Sequence, residues 1–343
     1  MSPTAARPFL VTLSLLAIAV LLSIGVGPVF IPPGTVVRML ANYLPGITIT
    51  ADWPDAFVSI LFKIRLPHTM LMLLTGAALG GSGAAYQGLF RNPLADPYLI
   101  GVASGAGLGA VLALSLQWPS SLLGMYTLPA SAFLGATISI AIVYSLARVG
   151  RTVPSTTLIL AGVAFSAFAT SLMSYLMLRS NTELRRALTW LLGGAIMSGW
   201  QPVLAMLPYE LIGLGILIAS GHALNVLQFG EEQAQQLGIP IERVKLIVIL
   251  FASVATAAAV SFSGVIGFVG LDAPHVARLL WGPDYRLLIP LSIIGGSSAL
   301  LLADMLARVV LAPQTLPVGI VTALAGAPFF LWLLRRSKAQ AYW

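Results

Sequence analysis

Apolar positions along this chain gather into long unbroken runs instead of alternating with polar ones. Ten runs stand out, at residues 9–32, 64–89, 97–116, 124–147, 154–178, 192–221, 244–263, 266–281, 287–307 and 317–334. A run of about 20 residues matches a bilayer core crossed by an α-helix, which satisfies every backbone polar group within the segment. A membrane barrel would show short segments of alternating polarity. The pattern therefore predicts an all-α integral membrane protein of about ten transmembrane helices. The sixth run is long enough to include a short leading helix, and the eighth is short for a full crossing.

The longest polar interruption in the second half is Leu227 to Pro240, LQFGEEQAQQLGIP. It must lie outside the bilayer. Ala234 and Leu237 fall three apart while Glu231, Glu232, Gln233, Gln235 and Gln236 fill the other positions, so a short helix closed by Gly238 and Pro240 is predicted. Both acids then sit in its first turn, where they suit the helix dipole. A short helix held at a membrane surface would serve another protein as a handle. The same pattern also fits a solvated connecting loop.

Charge orients the bundle. Of the 343 residues, 58% are apolar and 8% charged, against about 25% charged in soluble domains. The net charge of +7 is scattered over short loops, which excludes a nucleic-acid footprint, and the absence of cysteine excludes disulfides and thiolate metal sites. The first run follows Arg7 without a convincing small-residue cleavage site and reads as a retained span. An even number of spans puts Arg7, Arg91, Arg148, Arg151, Arg243, Lys245, Arg278, Arg286, Arg335, Arg336 and Lys338 on one side. Arg38, Lys63, Arg65, Arg179, Arg185, Arg186 and Arg308 fall on the other. The richer side is cytoplasmic by the positive-inside rule, so both termini and the 227–240 helix are expected there. Residues 33–63, with Asp52, Trp53 and Asp55, then face outward. With no internal repeat or soluble domain, residues 1–343 read as one transmembrane unit.

Candidate chemistry is sparse. No GxxxxGK[ST] loop, HExxH motif or Ser/His/Asp set occurs, so the chain is not expected to be an enzyme. His68, His222 and His275 are far apart in the chain, and no shared metal site is expected. Glu210 and Asp272 lie inside runs, where an ionised carboxylate costs roughly 2.5–3.5 kcal/mol unless it meets water or a partner. They read either as a proton or cation relay or as protonated or paired acids lining a wet cavity. Asp304 and Arg308, four apart, can satisfy each other on one helix face. Gly101, Gly105 and Gly109, and Gly76 and Gly80, are spaced to let helix backbones approach closely.

Four blocks carry a family resemblance. Residues 64–109, IRLPHTMLMLLTGAALGGSGAAYQGLFRNPLADPYLIGVASGAGLG, resemble the signature region of permease subunits of bacterial ABC importers for iron chelates, haem and cobalamin. LILAGVAFSAF at 158–168, GEEQAQQLGI followed by GVIGFVGLDAPHVARLLWGPDYR, and LLADMLARVVLAPQTLPVGIVTALAGAPFFLWLL at 301–334 agree, in order and at family spacing.

The resemblance implies a type II ABC-importer permease that pairs with a second copy of itself. Two separate ATPase subunits would bind ATP beneath the pair, and a periplasmic binding protein would deliver cargo to it. No cofactor is expected on this chain, and the expected location is the bacterial inner membrane. The family's cytoplasmic coupling helix corresponds to Gly230, Glu231, Glu232, Gln236, Leu237 and Gly238. Family positions that meet the binding protein correspond to Arg65, His68 and Arg308, with His68 standing where arginine is more usual. Arg65 also reads as snorkelling to the interface, and Arg308 as serving only Asp304. The family's inner gate corresponds to Ser155 and Thr156 and to Asn92, Pro93 and Leu94. The residues alone read there as a helix cap and a turn. Asp272 departs from the aliphatic residue usual at its position. The expected cargo is haem or a ferric siderophore, with Arg179, Arg185 and Arg186 placed to attract an anion. Cobalamin import and ion-coupled secondary transport are the alternatives.

Overall fold

The computed structural model describes residues 3–43, 49–116, 124–150, 152–179, 184–195 and 197–340. Arg151, counted above among the inner charges, lies outside the described residues. In chain order the α-helices are α1 (Pro3–Gly25), α2 (Pro33–Ala41), α3 (Asp55–Ser59), α4 (Leu66–Leu89), α5 (Val102–Ser115), α6 (Thr127–Ala147), α7 (Ser155–Arg179), α8 (Leu184–Leu191), α9 (Trp200–Ala219), α10 (Gly221–Leu227), α11 (Glu231–Gln236), α12 (Ile241–Ser263), α13 (Val269–Trp281), α14 (Tyr285–Val309) and α15 (Val318–Gln340). No strand occurs among the described residues.

Each predicted run holds one helix. Among the described residues, seven helical stretches are long and apolar enough to cross a membrane: those built on α1, α4, α6, α7, α9, α12 and α14. The stretch containing α4 begins earlier than predicted, because α3 and a π-helical turn at Ile60–Arg65 run into it without a break. The apolar helices Val102–Ser115 and Val318–Leu333 are shorter. The 13 residues of α13 reach only about 20 Å, against a hydrocarbon core of about 30 Å. The sixth run was expected to contain a leading helix; instead that helix, α8, precedes it, and residues 192–195 and 197–199 have no regular structure.

Glycines set the central packing. On α4, a Cβ at Gly76 or Gly80 would collide with the backbone of α14, and one at Gly83 with the backbone of α13 at Gly270. On α5, Gly105 and Gly109 meet the α6 backbone at Gly135 and Ser131 in the same way. Gly101 does not belong to that stripe: it precedes α5 with φ of 86°, a left-handed conformation at the helix entrance. Of the seven long helices α12 is the most buried and α7 the least.

Candidate coupling and docking sites

One end of the bundle carries α11. Gly230, with φ of 110°, turns the chain out of α10, and Glu231 and Glu232 open the helix. It closes in a Schellman motif: Ile239 N donates to Ala234 O at 3.0 Å and Gly238 N to Gln235 O at 3.0 Å, with Gly238 at φ of 83°. Ala234 is fully buried in the main core. Leu237 was paired with it on sequence spacing, yet as the capping residue it turns outward and is 66% exposed. Phe229, which sequence reasoning passed over, precedes the helix and is 69% exposed. Gln236 and Gly238 are also exposed.

Bonds fix this elbow to its neighbours. Asn225 donates to Asp284 at 2.6 Å and accepts from Tyr285 N at 2.8 Å, tying α10 to the start of α14. Gln228 donates to Gly88 O at 2.9 Å, at the end of α4. Glu231 Oε2 lies 2.8 Å from Nζ of Lys245, a buried side chain on α12. Sequence reading had counted Lys245 only as an inner-side charge.

The gate candidates border this region. After α4, Arg91 takes a left-handed conformation with φ of 49°, and Asn92 N donates to Gln87 O at 3.1 Å, closing that helix. Asn92 Oδ1 then accepts from Leu94 N at 3.0 Å, and Asn92, Pro93 and Leu94 form an exposed turn. Ser155 opens α7 but does not cap it, because Leu158 N donates to Pro154 O at 3.0 Å. Ser155 is half-buried and Thr156 exposed.

The other end of α4, about 35 Å away, holds the second group. His68 Nε2 meets Asp304 Oδ1 at 2.8 Å. Asp304 Oδ2 stands 2.9 Å from Arg308 Nε, an ionic contact whose angle falls short of a hydrogen bond. Arg308 donates to Ser23 O and Oγ at 3.0 Å each, and Ser23 Oγ bonds Thr69 Oγ1 at 3.0 Å. The predicted Asp304–Arg308 pair is therefore one part of a network joining α1, α4 and α14.

Arg65 is not snorkelling outward. It is 5% exposed and donates to Ile24 O at 2.8 Å, to Gly25 O at 2.9 Å and to Val29 O, so it clamps the end of α1. Arg65, His68, Asp304 and Arg308 all line one cavity of about 430 Å³, which also touches Thr189 of α8. On α8, Ala187 and Trp190 are buried while Arg185 and Arg186 are exposed. Arg179 is exposed at the end of α7 and donates to Tyr175 Oη at 3.2 Å.

The two intramembrane acids stay apart from both groups. Glu210 is 1% exposed and neither carboxylate oxygen has a hydrogen-bond partner among the described residues. Asp272 lies on α13 beside Gly326 of α15.

Known proteins match this arrangement over most of its length. A cobalamin import system permease, BtuC of Halobacterium salinarum, is 41% identical over 346 residues, covering 96% of this chain and 91% of that protein. The hemin transport system permease HmuU of Yersinia pestis is 39% identical over 295 residues, covering 83% and 86%. The solved structure of a metal-chelate type ABC transporter in an inward-facing conformation superposes with a TM-score of 0.82 at 30% identity, covering 96% of this chain and 99% of that one. The FecCD transport family model matches residues 15–336, and the chain belongs to that family as a permease of the ABC importer type.

Proposed function

We propose that this chain is the membrane subunit of an ATP-driven importer that moves haem or a ferric siderophore from periplasm to cytoplasm. Two copies would form the pathway in the bacterial inner membrane, with both termini cytoplasmic. Two separate ATPase subunits would carry the ATP, and a periplasmic binding protein would deliver the cargo. The observation that carries this reading is α11: a polar helix tied to the bundle through Gln228 before it and Glu231 at its start, with Phe229 and Leu237 exposed before and after it. Two large apolar side chains flanking a polar helix suit insertion into a cleft of a partner. Closure of the ATPase pair would push on α11, and the packed helices would move the turns at Asn92 to Leu94 and at Ser155 and Thr156.

At the outer end, the binding protein would meet the cluster of Arg65, His68 and Arg308. His68, with a side chain 31% exposed, offers the accessible edge, while Arg65 supports it from behind. Arg179, Arg185 and Arg186 would attract an anionic cargo such as haem propionates. Likeness to a cobalamin permease supports a second reading, in which the cargo is cobalamin. The absorption spectrum of the partner binding protein, purified with its ligand, separates the two. Reconstitution tests the class: uptake into sealed vesicles should require the ATPase and ATP. Uptake driven by an ion gradient alone would instead favour a secondary transporter using Glu210 and Asp272.

A further inference from the structure

Lys245 makes more contacts than a buried cation needs for neutralisation. Its Nζ lies 2.8 Å from Glu231 Oε2 on α11, 3.3 Å from Glu242 Oε1 on its own helix, and 3.3 Å from the carbonyl oxygen of Val153. Glu242 uses its other oxygen, Oε2, to accept from Val153 N at 3.2 Å. Both backbone polar groups of Val153 are thus held by the Lys245–Glu242 pair.

Val153 itself is buried, two residues ahead of Ser155, in the turn where Val149 and Thr152 bridge. An ammonium has three donors, and here they reach three separate segments: α11, the start of α12 and the turn into α7. Lys245 is 4% exposed, so the ammonium end of these bonds is shielded from water, while the Glu231 and Glu242 side chains remain about two-fifths exposed. The helix this turn feeds, α7, is the least buried of the long helices within the single chain.

We propose that Lys245 is a positioning residue that transmits displacement of α11 to the start of α7, so that the Ser155 and Thr156 turn moves with the ATPase-docking helix. The link rests on the reading of α11 as the coupling element. A shift of α11 would pull Glu231, draw on the shared ammonium and carry the doubly held Val153 backbone along. Lys245→Met keeps much of the side-chain length and removes all three bonds, while Lys245→Arg keeps a charge and donors.

The test uses the assembled transporter, permease pair with ATPase and binding protein, in lipid nanodiscs. The chain has no cysteine, so Thr156→Cys and, separately, Gln235→Cys can each carry a single spin label per copy. Label-to-label distances between the two copies are measured with and without ATP and vanadate. In the otherwise unaltered complex both distances should change with nucleotide. In Lys245→Met the Gln235 distance should still change and the Thr156 change should be largely lost, with transport per ATP hydrolysed falling about tenfold. Lys245→Arg should restore part of both. A full Thr156 change in Lys245→Met overturns the link while leaving α11 as the coupling element. A Gln235 distance that ignores nucleotide even without the lysine change removes the coupling reading itself, and the link with it. If Lys245→Met does not assemble, Glu231→Leu, which offers Lys245 no acceptor, decides: a Thr156 change diminished while the Gln235 change persists supports the link, and an unchanged Thr156 change overturns it.

Discussion

The two ends of the bundle each contain a buried charge among ion-pair partners, and the partners differ. At the outer end the buried charge is the Asp304 carboxylate, with a side chain 5% exposed, and its neighbours His68 and Arg308 sit on helices packed within the bundle. At the inner end it is the Lys245 ammonium, equally buried, whose partners Glu231 and Glu242 are 41% and 38% exposed. Breaking the outer network strands the charge of Asp304 or Arg308, whose side chains are only 5% and 12% exposed. Breaking the inner one leaves carboxylates that can reach water. The outer end is built to hold helices together, while the inner end joins parts that can move separately.

The largest expected effect follows directly. Asp304→Ala leaves Arg308 without its counter-charge and His68 without its hydrogen-bond partner, and should destabilise the purified chain by about 3–5 kcal/mol, the cost of breaking a buried pair. Lys245→Met should cost clearly less, because Glu231 and Glu242 rehydrate. Thermal unfolding of both variants in detergent checks the order. Equal losses would erase the distinction between the two ends.

Between the ends the bundle must be stiff, and α4 against α14 supplies that. Gly80→Ala drives a methyl into the α14 backbone at Ser292 and should cost about 1–3 kcal/mol, whereas Gly295→Ala, on α14 facing open space, should be nearly neutral. A Gly80 variant as stable as the Gly295 variant would mean that the helices can separate without penalty.

Much of this was legible because it is local. Runs of apolar residues report lipid exposure one segment at a time, and ten runs gave ten helices even where α13 is too short to cross. The helix at 231–236 was written in its first-turn acids and its closing Gly238. Lys245 was not legible as a hub, since its acceptors come from positions 153, 231 and 242 and no periodicity brings them together. Arg65 misled for a related reason: an arginine at a span boundary looks like an interface residue until the end of α1 folds over it. Gly101 fell on the four-residue spacing by coincidence, its role being a left-handed turn. Phe229 left a signal that could have been used, a large aromatic between a glycine and a polar segment.

A smaller effect sharpens the inner end. Replacing Glu231 and Glu232 with lysine puts like charge beside Lys245 and removes acids from the first turn of α11. Uptake in the reconstituted importer should fall about tenfold, the scale of one coupling energy. Unchanged uptake would remove α11 from the mechanism.

The smallest effect concerns how the elbow carrying α11 is tied to α14. Asp284 caps α14, accepting from Arg286 N at 3.0 Å, and its carboxylate is also bonded by the Arg286 guanidinium and by Asn225 of α10. The side-chain bond from Arg286 is the main reason its carboxyl lies well below the ordinary carboxylate range; burial opposes it, and Asn225 and the Arg286 backbone N–H each add a smaller lowering effect. A depressed carboxyl contributes stability that is complete above the unfolded-state value near 4 and is lost as pH falls through the lower folded value. The side chain is about one-third exposed, so water screens the pair, and Asp284→Asn should cost no more than about 1 kcal/mol at pH 7. That gap should narrow on going from about pH 5 to about pH 2, since the charge distinguishing aspartate from asparagine is then being removed. Thermal midpoints of the two proteins in detergent at several pH values provide the measurement. A gap that stays constant down to the lowest pH would assign the contribution of Asp284 to the neutral cap alone, leaving Lys245 as the charged tie that reaches α11 itself.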